Sequence, residues 1–347
     1  MMTRTNEQEA LFDEIARLIG DAGTIAICAH TNPDGDALGS ELALKMMIES
    51  RWPGRKVACL LPDDAPCPRI YTFLPGADQL VPASAYAIDP DLFVSVDLSV
   101  ASRLNHGERV MRRAGTVAVI DHHPCDSPYG DVALIRPSAA AAGVLVAEFA
   151  EHLGIEITRD IAQCLFCAIA TDTGRFQYQN ADEEAFKVAS MLVARGASPS
   201  EVSLNVYQSF RLQFLHLKSA VMGRITTFDH GRIAYSYATI ADIERTGANL
   251  DESDGLVDVV RSVAGSELAL FIKEVPGGRV RGNLRSKGHY DISGVARALG
   301  GGGHCAASGF TLEGSVDDAL CAALPLLKAL FEREDVPAGP EGWPDAP

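Results

Sequence analysis

The sequence predicts an α/β protein built as a doubly wound, mainly parallel sheet domain plus a smaller α/β domain, the two joined by a helical linker. Three observations predict it. Four nearly continuous apolar runs punctuate the first half, as strands covered on both faces do. Helical patterns fall between several of them, the signature of a parallel doubly wound sheet. After Gly223 the pattern changes to hairpin-like segments with glycine turns. A length of 347 residues accommodates two such domains.

The elements follow in order. The opening segment MMTRTNEQEALFDEIARLIG reads as an amphipathic helix. It lacks the basic start and apolar block of a signal peptide. Thr24–Ala29 is the first strand, and the stretch HTNPDGDALGS follows it, with turn signals at Asn-Pro and Asp-Gly. A helix is expected over Glu41–Ile48. Lys56–Leu61, Leu92–Val96 and Thr116–Ile120 supply the next three strands, and helices are expected over Ala139–Leu153 and Asp160–Ala170. From Asp182 to Gly223 the pattern is helical with many polar positions. Then ITTFDHGRIAYSYAT reads as a hairpin turning at Asp229-His230-Gly231, and ELALFIKEVPGGRVRGNLRS as another turning at Pro276-Gly277-Gly278. A helix over Asp291–Leu299 and a strand near Gly309–Leu312 close the fold. The Pro/Gly-rich end predicts disorder. The expected division is 1–190 for the sheet domain, 191–222 for the helical linker, 223–332 for the second domain and 333–347 for a disordered tail.

Composition narrows the function. Hydrophobic residues make up 47% of the chain, enough for sizeable cores. No apolar run is long enough to cross a bilayer, so a cytoplasmic protein is expected. The eight cysteines stand singly apart from Cys164 and Cys167, several of them inside apolar runs. That is the pattern of reduced core thiols, and no second pair completes a zinc site. Thirty basic against 46 acidic residues leave a formal charge of −16. A protein that grips long nucleic acid needs a basic track. The ligand is therefore either not a nucleic acid or a short one held locally.

Ligands of an open parallel sheet bind beyond the carboxyl ends of its strands. The first strand ends in His30, with Asp34 and Asp36 just beyond. Leu92–Val96 ends in Asp97, Thr116–Ile120 in Asp121-His122-His123, and the run AQCLFCAIAT in Asp172. One such acid is usually a turn former or helix cap. Four elements that each deliver an acid or imidazole to one rim are another matter, because crowded carboxylates repel unless cations lie among them. Asp34, Asp36, Asp97 and Asp172 carry four negative charges, which two divalent cations would balance. Mixed imidazole and carboxylate donors favour Mn²⁺, with Mg²⁺ or Co²⁺ as alternatives. Two such metals suit phosphoryl hydrolysis.

The segments HTNPDGDALGS, VDLS, DHH and TDTGRF, in that order, resemble the motifs of the DHH phosphoesterase superfamily. RGNLRS and GGGGHCAASG resemble its DHH-associated domain. Size and layout are similar to the NrnA-like group of oligoribonucleases, some of which also dephosphorylate 3′-phosphoadenosine 5′-phosphate (PAP). The resemblance implies that His30 and Asp34 hold one metal, Asp36 and His122 the other, that Asp97 bridges both, and that Asp172 completes the second site. It implies His123 as the residue that reaches the substrate phosphate and Asp121 as the group that orients the histidines. It assigns nucleotide binding to Arg285 and Ser286, to the loop Gly301, Gly302, Gly303, and to His304. One glycine after a helix is an ordinary C-cap, whereas a run of four is expected where backbone approaches a ligand.

The expected activity is therefore a two-metal phosphodiesterase acting on short RNA, with PAP as a further substrate. Linear or cyclic signalling dinucleotides are the alternative substrates, and a non-catalytic nucleotide-binding regulator is the remote rival. Short oligonucleotides or nucleotide phosphates are the expected partners, without long duplexes or membranes, and a homodimer is among the open oligomeric states.

Overall fold

The computed structural model describes residues 5–125, 127–288, 290–303 and 305–332. His304 and the expected tail 333–347 lie outside the described residues. The chain divides into two compact units that meet in sequence at Ser209 and Phe210.

The first unit carries strands β1 (Thr24–Cys28), β2 (Lys56–Leu61), β3 (Val81–Pro82), β4 (Leu92–Val96), β5 (Thr116–Asp121) and β6 (Val132–Ile135). They form one sheet in the order β3-β2-β1-β4-β5-β6, with every pair parallel. β4 is buried along its whole length, which is why its sequence is apolar at nearly every position. The helices are α1 (Asn6–Asp21), α2 (Gly35–Arg51), α3 (His106–Met111), α4 (Ala142–His152), α5 (Arg159–Asp172), α6 (Glu183–Ala194) and α7 (Pro199–Val202), the last continued by a π-helical turn at Ser203–Tyr207. The strand order reverses between β1 and β4, and their carboxyl ends form the crevice typical of this fold.

Several expected boundaries shift by one to three residues, and two larger or site-bearing changes matter at the rim. The helix expected from Glu41 begins at Gly35 and runs to Arg51, because Asp34 caps it: its carboxylate accepts from the amides of Asp36 (3.0 Å) and Ala37 (3.1 Å). Of the two turn signals in the HTNPDGD segment, Asn32-Pro33 precedes the cap and Asp34-Gly35 is the cap and first residue of the helix. The helix expected to stop at Ala170 continues to Asp172, so that acid belongs to the last turn of α5. α2 is buried nearly all round. It packs so closely on α5 that a Cβ at Gly39 would stand 2.4 Å from the Cys164 carbonyl oxygen. This contact brings the start of α2 and the end of α5 to the same rim.

The second unit, from Phe210, forms a six-stranded sheet in the order β11-β12-β10-β9-β8-β7. Its strands are β7 (Thr226–Phe228), β8 (Ile233–Ala238), β9 (Leu268–Val275), β10 (Arg279–Ser286), β11 (Gly302–Gly303) and β12 (Ala307–Glu313). All pairs are antiparallel except β8 with β9. Helices α8 (Leu212–Gly223), α9 (Ile240–Thr246), α10 (Val257–Arg261), α11 (Ser293–Ala298) and α12 (Val316–Ala329) accompany it. Phe214, Leu217 and Val221 of α8 cluster with Ala234 and Phe271 of the sheet. Ala319, Ala323 and Leu327 of α12 cluster with Leu284, Ile272 and Phe310. The sequence reading assigns no helix after the last strand. Pro325 interrupts the pattern there, yet a Ser315–Asp318 capping box starts α12 and sheet burial holds it. Among the described residues, no helix is long and apolar enough to cross a membrane.

Candidate active site

The site assembles where β1, β4 and β5 end and α2 and α5 meet. His30 follows β1 and is buried. Its Nδ1 lies 2.8 Å from the Thr31 carbonyl oxygen, which places the ring proton there and leaves Nε2 as a lone-pair donor. His122, after β5, is held the same way: Nδ1 stands 3.1 Å from the Ala139 carbonyl oxygen. Asp97 follows β4 with φ +58, a left-handed conformation that Asp and Asn adopt more readily than other non-glycine residues. Its amide still donates to the Ile120 carbonyl at 2.9 Å, so the kink is anchored on β5.

The side chains converge. His30 Nε2 is 3.3 Å from Asp97 Oδ2 and 3.9 Å from Asp34 Oδ2. His122 Nε2 is 3.4 Å from Asp97 Oδ1, 3.6 Å from Asp172 Oδ2 and 3.7 Å from Asp36 Oδ2. His30, Asp34 and Asp97 form one group whose donor atoms lie within 4.8 Å of each other, and Asp36, His122 and Asp172 form another. Asp97 also joins Asp121, His122 and His123 in a third such group. Asp121 is fully buried: its Oδ1 accepts from the His122 amide (2.7 Å) and the His123 amide (3.1 Å), and stands 2.7 Å from His123 Nδ1. Asp121 thereby holds the His123 imidazole and anchors the backbone that bears His122.

The electrostatics are those of a site short of positive charge. Burial opposes protonation of His30, yet Asp97 and Asp34 outweigh it and push its pKa up to about 9. For His122 burial is likewise outweighed, by Asp97, Asp172 and Asp36, and the pKa rises to about 11. Burial and then the Asp97 charge push Asp36 up to about 7. Asp172 is raised well above the carboxylate range by burial and by its acidic neighbours. Asp97 moves the other way: burial is overcome by His122 and His30, which hold it well below the usual range. Protons thus occupy places where Lewis acids would fit. Asp97 Oδ1 is buried without a hydrogen bond, an orphan acceptor of the kind a cation satisfies. The donor set of imidazole nitrogen and carboxylate oxygen fits divalent metal ions.

Asp36 has a structural partner set that sequence reasoning missed. Its Oδ2 accepts from the Ala142 amide (2.6 Å) and its Oδ1 from the Gly143 amide (2.9 Å) and the Ser40 hydroxyl (3.0 Å). It therefore caps α4, whose own N-cap residue, Ala141, offers no side chain for the purpose. Backbone amides carry no residue-type signal, so nothing in the sequence marks them. A hollow of about 620 Å³ beside β6, bordered by Gln8, Cys125, Arg136 and Ser138, contains none of the rim ligands.

In the second unit, Arg285 lies on β10 opposite Ala307 of β12, and Gly303 of β11 lies opposite Ser308. The strand order thus sets Arg285 and the glycine run on either side of Ala307-Ser308. Arg285 Nη1 donates to the Leu284 carbonyl (2.9 Å), while its Nε is buried without a hydrogen bond, 3.8 Å from Asp258 Oδ1. Ser286 is turned inward, and its hydroxyl accepts from the amides of Gly288 (3.1 Å) and Tyr290 (3.3 Å). Two of the glycines answer to β12: a Cβ at Gly301 would meet the Gly309 carbonyl oxygen at 2.0 Å, and one at Gly303 the Ala307 carbonyl oxygen at 2.6 Å. A Cβ at Gly302 would meet nothing within 4 Å.

Residues 24–169 match the model of the DHH family, N-terminal domain, and residues 230–333 that of the DHHA1 domain. A bifunctional oligoribonuclease and PAP phosphatase NrnA of Thermus thermophilus is 31% identical over 319 residues, which covers 89% of this chain and 92% of the relative. The chain belongs to the DHH family. It is accordingly an enzyme, a metal-dependent phosphoesterase with a DHHA1 domain. The DHH fold is visible in solved structures as well. An exopolyphosphatase-related protein from Bacteroides fragilis superposes with a TM-score of 0.86 at 23% identity, covering 94% of this chain and 98% of that one. RecJ from Thermus thermophilus, in complex with Mn²⁺, superposes with a TM-score of 0.53 at 15% identity, covering 96% of this chain and 55% of that one.

Proposed function

We propose that this enzyme is a two-metal hydrolase of short RNA oligonucleotides that also removes a phosphate from PAP, working in the cytoplasm with Mn²⁺. The observation that carries the reading is Asp97. One oxygen of this carboxylate is 3.3 Å from His30 Nε2 and the other 3.4 Å from His122 Nε2, so a single side chain addresses both donor groups. His30 and Asp34 would then hold one cation, Asp36, His122 and Asp172 the other, and Asp97 both. Asp36 remains able to coordinate while capping α4, because Oδ2, the oxygen on the His122 side, accepts only the Ala142 amide and keeps a second lone pair. When bound, the cations supply Lewis acidity toward phosphoryl oxygens and acidify a water for attack.

The chain's own residues do the rest. The Thr31 and Ala139 carbonyls fix the tautomers of His30 and His122. Asp121 orients His123, which would face the phosphate as a hydrogen-bond donor or acid. Arg285, with the glycine run beside β12, would hold the nucleotide, and the free space at Gly302 would admit it. The NrnA likeness supports the choice of substrate, and the acidic composition agrees with short ligands. Mixed N/O donors and the Mn²⁺-bearing RecJ of the same fold support the choice of metal.

The test is one assay. Purified protein with Mn²⁺ is incubated with end-labelled RNAs from dinucleotides to long oligomers, with PAP, and with a cyclic dinucleotide, each with a chelator control. Chelator-sensitive loss of the shortest RNAs and of PAP is expected. Turnover of the cyclic compound alone would move the substrate assignment to signalling dinucleotides, and no turnover of any substrate by metal-loaded protein would sink the reading.

A further inference from the structure

A phosphate that enters the rim meets carboxylates and imidazoles, and its remaining charge needs a cation that the protein supplies. Most arginines of the first unit are occupied. Arg136 is paired with Glu184 (2.9 Å) and Glu148 (3.2 Å). Arg112 pairs with Glu108, Arg113 with Asp89 at 3.2 Å, and Arg109 donates to the Ser84 carbonyl at 3.0 Å. Arg175 lies over the Tyr207 ring, 4.7 Å from its centre. Arg103 differs. It is exposed, and among the described residues its guanidinium takes part in no ion pair or hydrogen bond.

Its backbone, by contrast, is firmly placed. Arg103 sits in the 3₁₀ turn Ala101–Leu104 that follows β4 and Asp97. Its carbonyl accepts from the Thr31 amide at 2.9 Å, directly after His30. A second tie runs through Asp63, two residues beyond the end of β2. Asp63 Oδ2 accepts from the Asn32 amide (3.0 Å) and Oδ1 from the Asn105 side-chain amide (2.7 Å). Asn32 (φ +53) and Asn105 (φ +45) are both left-handed, a conformation that is strained for a non-glycine residue and persists where surroundings over-determine it. One carboxylate thus brackets the loop that bears His30 and the loop that bears Arg103. The bracket stands where β1 and β4 lie side by side and the strand order reverses, the place where such sheets receive ligands.

We propose that Arg103 is a phosphate-contacting residue of this site, donating its guanidinium fork to non-bridging oxygens of the phosphoryl group received on the His30 side, with Asp63 as the positioning residue that holds it there. The proposal rests on the phosphoesterase reading for the nature of its ligand. A guanidinium presents paired donors to two phosphate oxygens, and one charge-assisted hydrogen bond is worth about 1.5–3 kcal/mol, that is roughly ten- to hundredfold in affinity.

Calorimetry on the Mn²⁺-loaded full chain tests it, with inorganic phosphate and PAP as titrants and Mn²⁺ affinity measured separately. Arg103→Gln is expected to weaken both titrants about tenfold or more and to leave Mn²⁺ affinity unchanged. Arg103→Lys should fall between, because it keeps the charge and loses the fork. Asp63→Ala should weaken phosphate and Mn²⁺ together, because it frees the His30 loop as well. Unchanged phosphate affinity in Arg103→Gln, no phosphate binding by the parent protein, or weakening that merely tracks lost Mn²⁺ would each overturn the proposal. Turnover of short RNA and PAP by the parent protein is read in parallel. Arg103-dependent phosphate binding without turnover would sink the substrate reading and leave this one standing.

Discussion

Asp242 in the second unit and Asp36 in the first are both buried aspartates in the opening turn of a helix, and their partners differ in kind. Asp242 accepts from the Thr239 amide (3.0 Å) and hydroxyl (2.9 Å), from Arg224 Nη2 (2.8 Å) and Nη1, and from Arg245 Nη2 (2.8 Å). Arg224 above all holds its carboxyl well below the usual range, against a smaller effect of burial. Asp36 has two backbone amides and one hydroxyl, with no arginine or lysine, and burial pushes it up to about 7. The protein supplies the counter-charge where an acid is structural. At the rim it supplies orientation and leaves the counter-charge to come from outside.

The largest expected effect comes from Asp97→Asn. Asparagine tolerates the left-handed backbone and keeps the volume, so circular dichroism should be unchanged. Phosphoesterase turnover should fall a thousandfold or more, about 4 kcal/mol in transition-state stabilisation. If Asp242→Ala abolished turnover equally in a folded protein, the contrast between the two acids would break.

Asp242→Ala should instead cost about 2 kcal/mol of stability in the second unit, read as a lower urea midpoint with turnover per folded molecule retained. That is below the figure for a fully buried pair, because the released Arg224 and Arg245 can turn to water.

The pH dependence of stability sharpens the contrast further. In metal-free protein the folded state binds more protons than the unfolded one, at Asp36 between pH about 4 and 7 and at His30 between about 6.5 and 9. Stability of the chelator-treated protein should therefore fall as pH rises through both windows. Metal ligands must be deprotonated, so Mn²⁺ affinity and the stability it adds should rise over the same range. Thermal melts at pH 5 and pH 9, with chelator and with Mn²⁺, should show opposite trends. Parallel trends would mean that the rim is not a metal site.

The smallest effect separates the glycines of the second unit. Gly302→Ala should change stability by no more than about 0.5 kcal/mol, whereas Gly301→Ala, driven against the Gly309 carbonyl, should cost about 2 kcal/mol or more. A raised KM in Gly302→Ala alone would mark that peptide as a ligand contact.

The parallel sheet was legible because strands covered on both faces leave nearly unbroken apolar runs, and Leu92–Val96 carries one with Ser95 as its single polar position. The rim acids were legible because they stand where those runs stop. β6 was not: it is four residues long, at the sheet edge, with a single buried side chain, Leu134. The start of α2 was misplaced because the same residues, Asp34 and Gly35, satisfy the sequence rules for a turn and for a helix cap, and only the amides of Asp36 and Ala37 decide between them. The capping of α4 by Asp36 and the bracket at Asp63 depend on contacts between distant segments, for which local sequence has no mark.

The parallel order of the first sheet has a consequence for synthesis. β1 emerges early and takes β2 on one side, but its other neighbour, β4, is made only after β3. His30 and Asp34 then wait for Asp97, and Asp36 waits for the amides of Ala142 and Gly143 and for His122 and Asp172. Contacts of such sequence separation close late in folding. A growing chain that ends before residue 172 holds His30, Asp34 and Asp97 but lacks Asp172 of the second donor group, so it has no complete trap for a pair of cations while its core is still open.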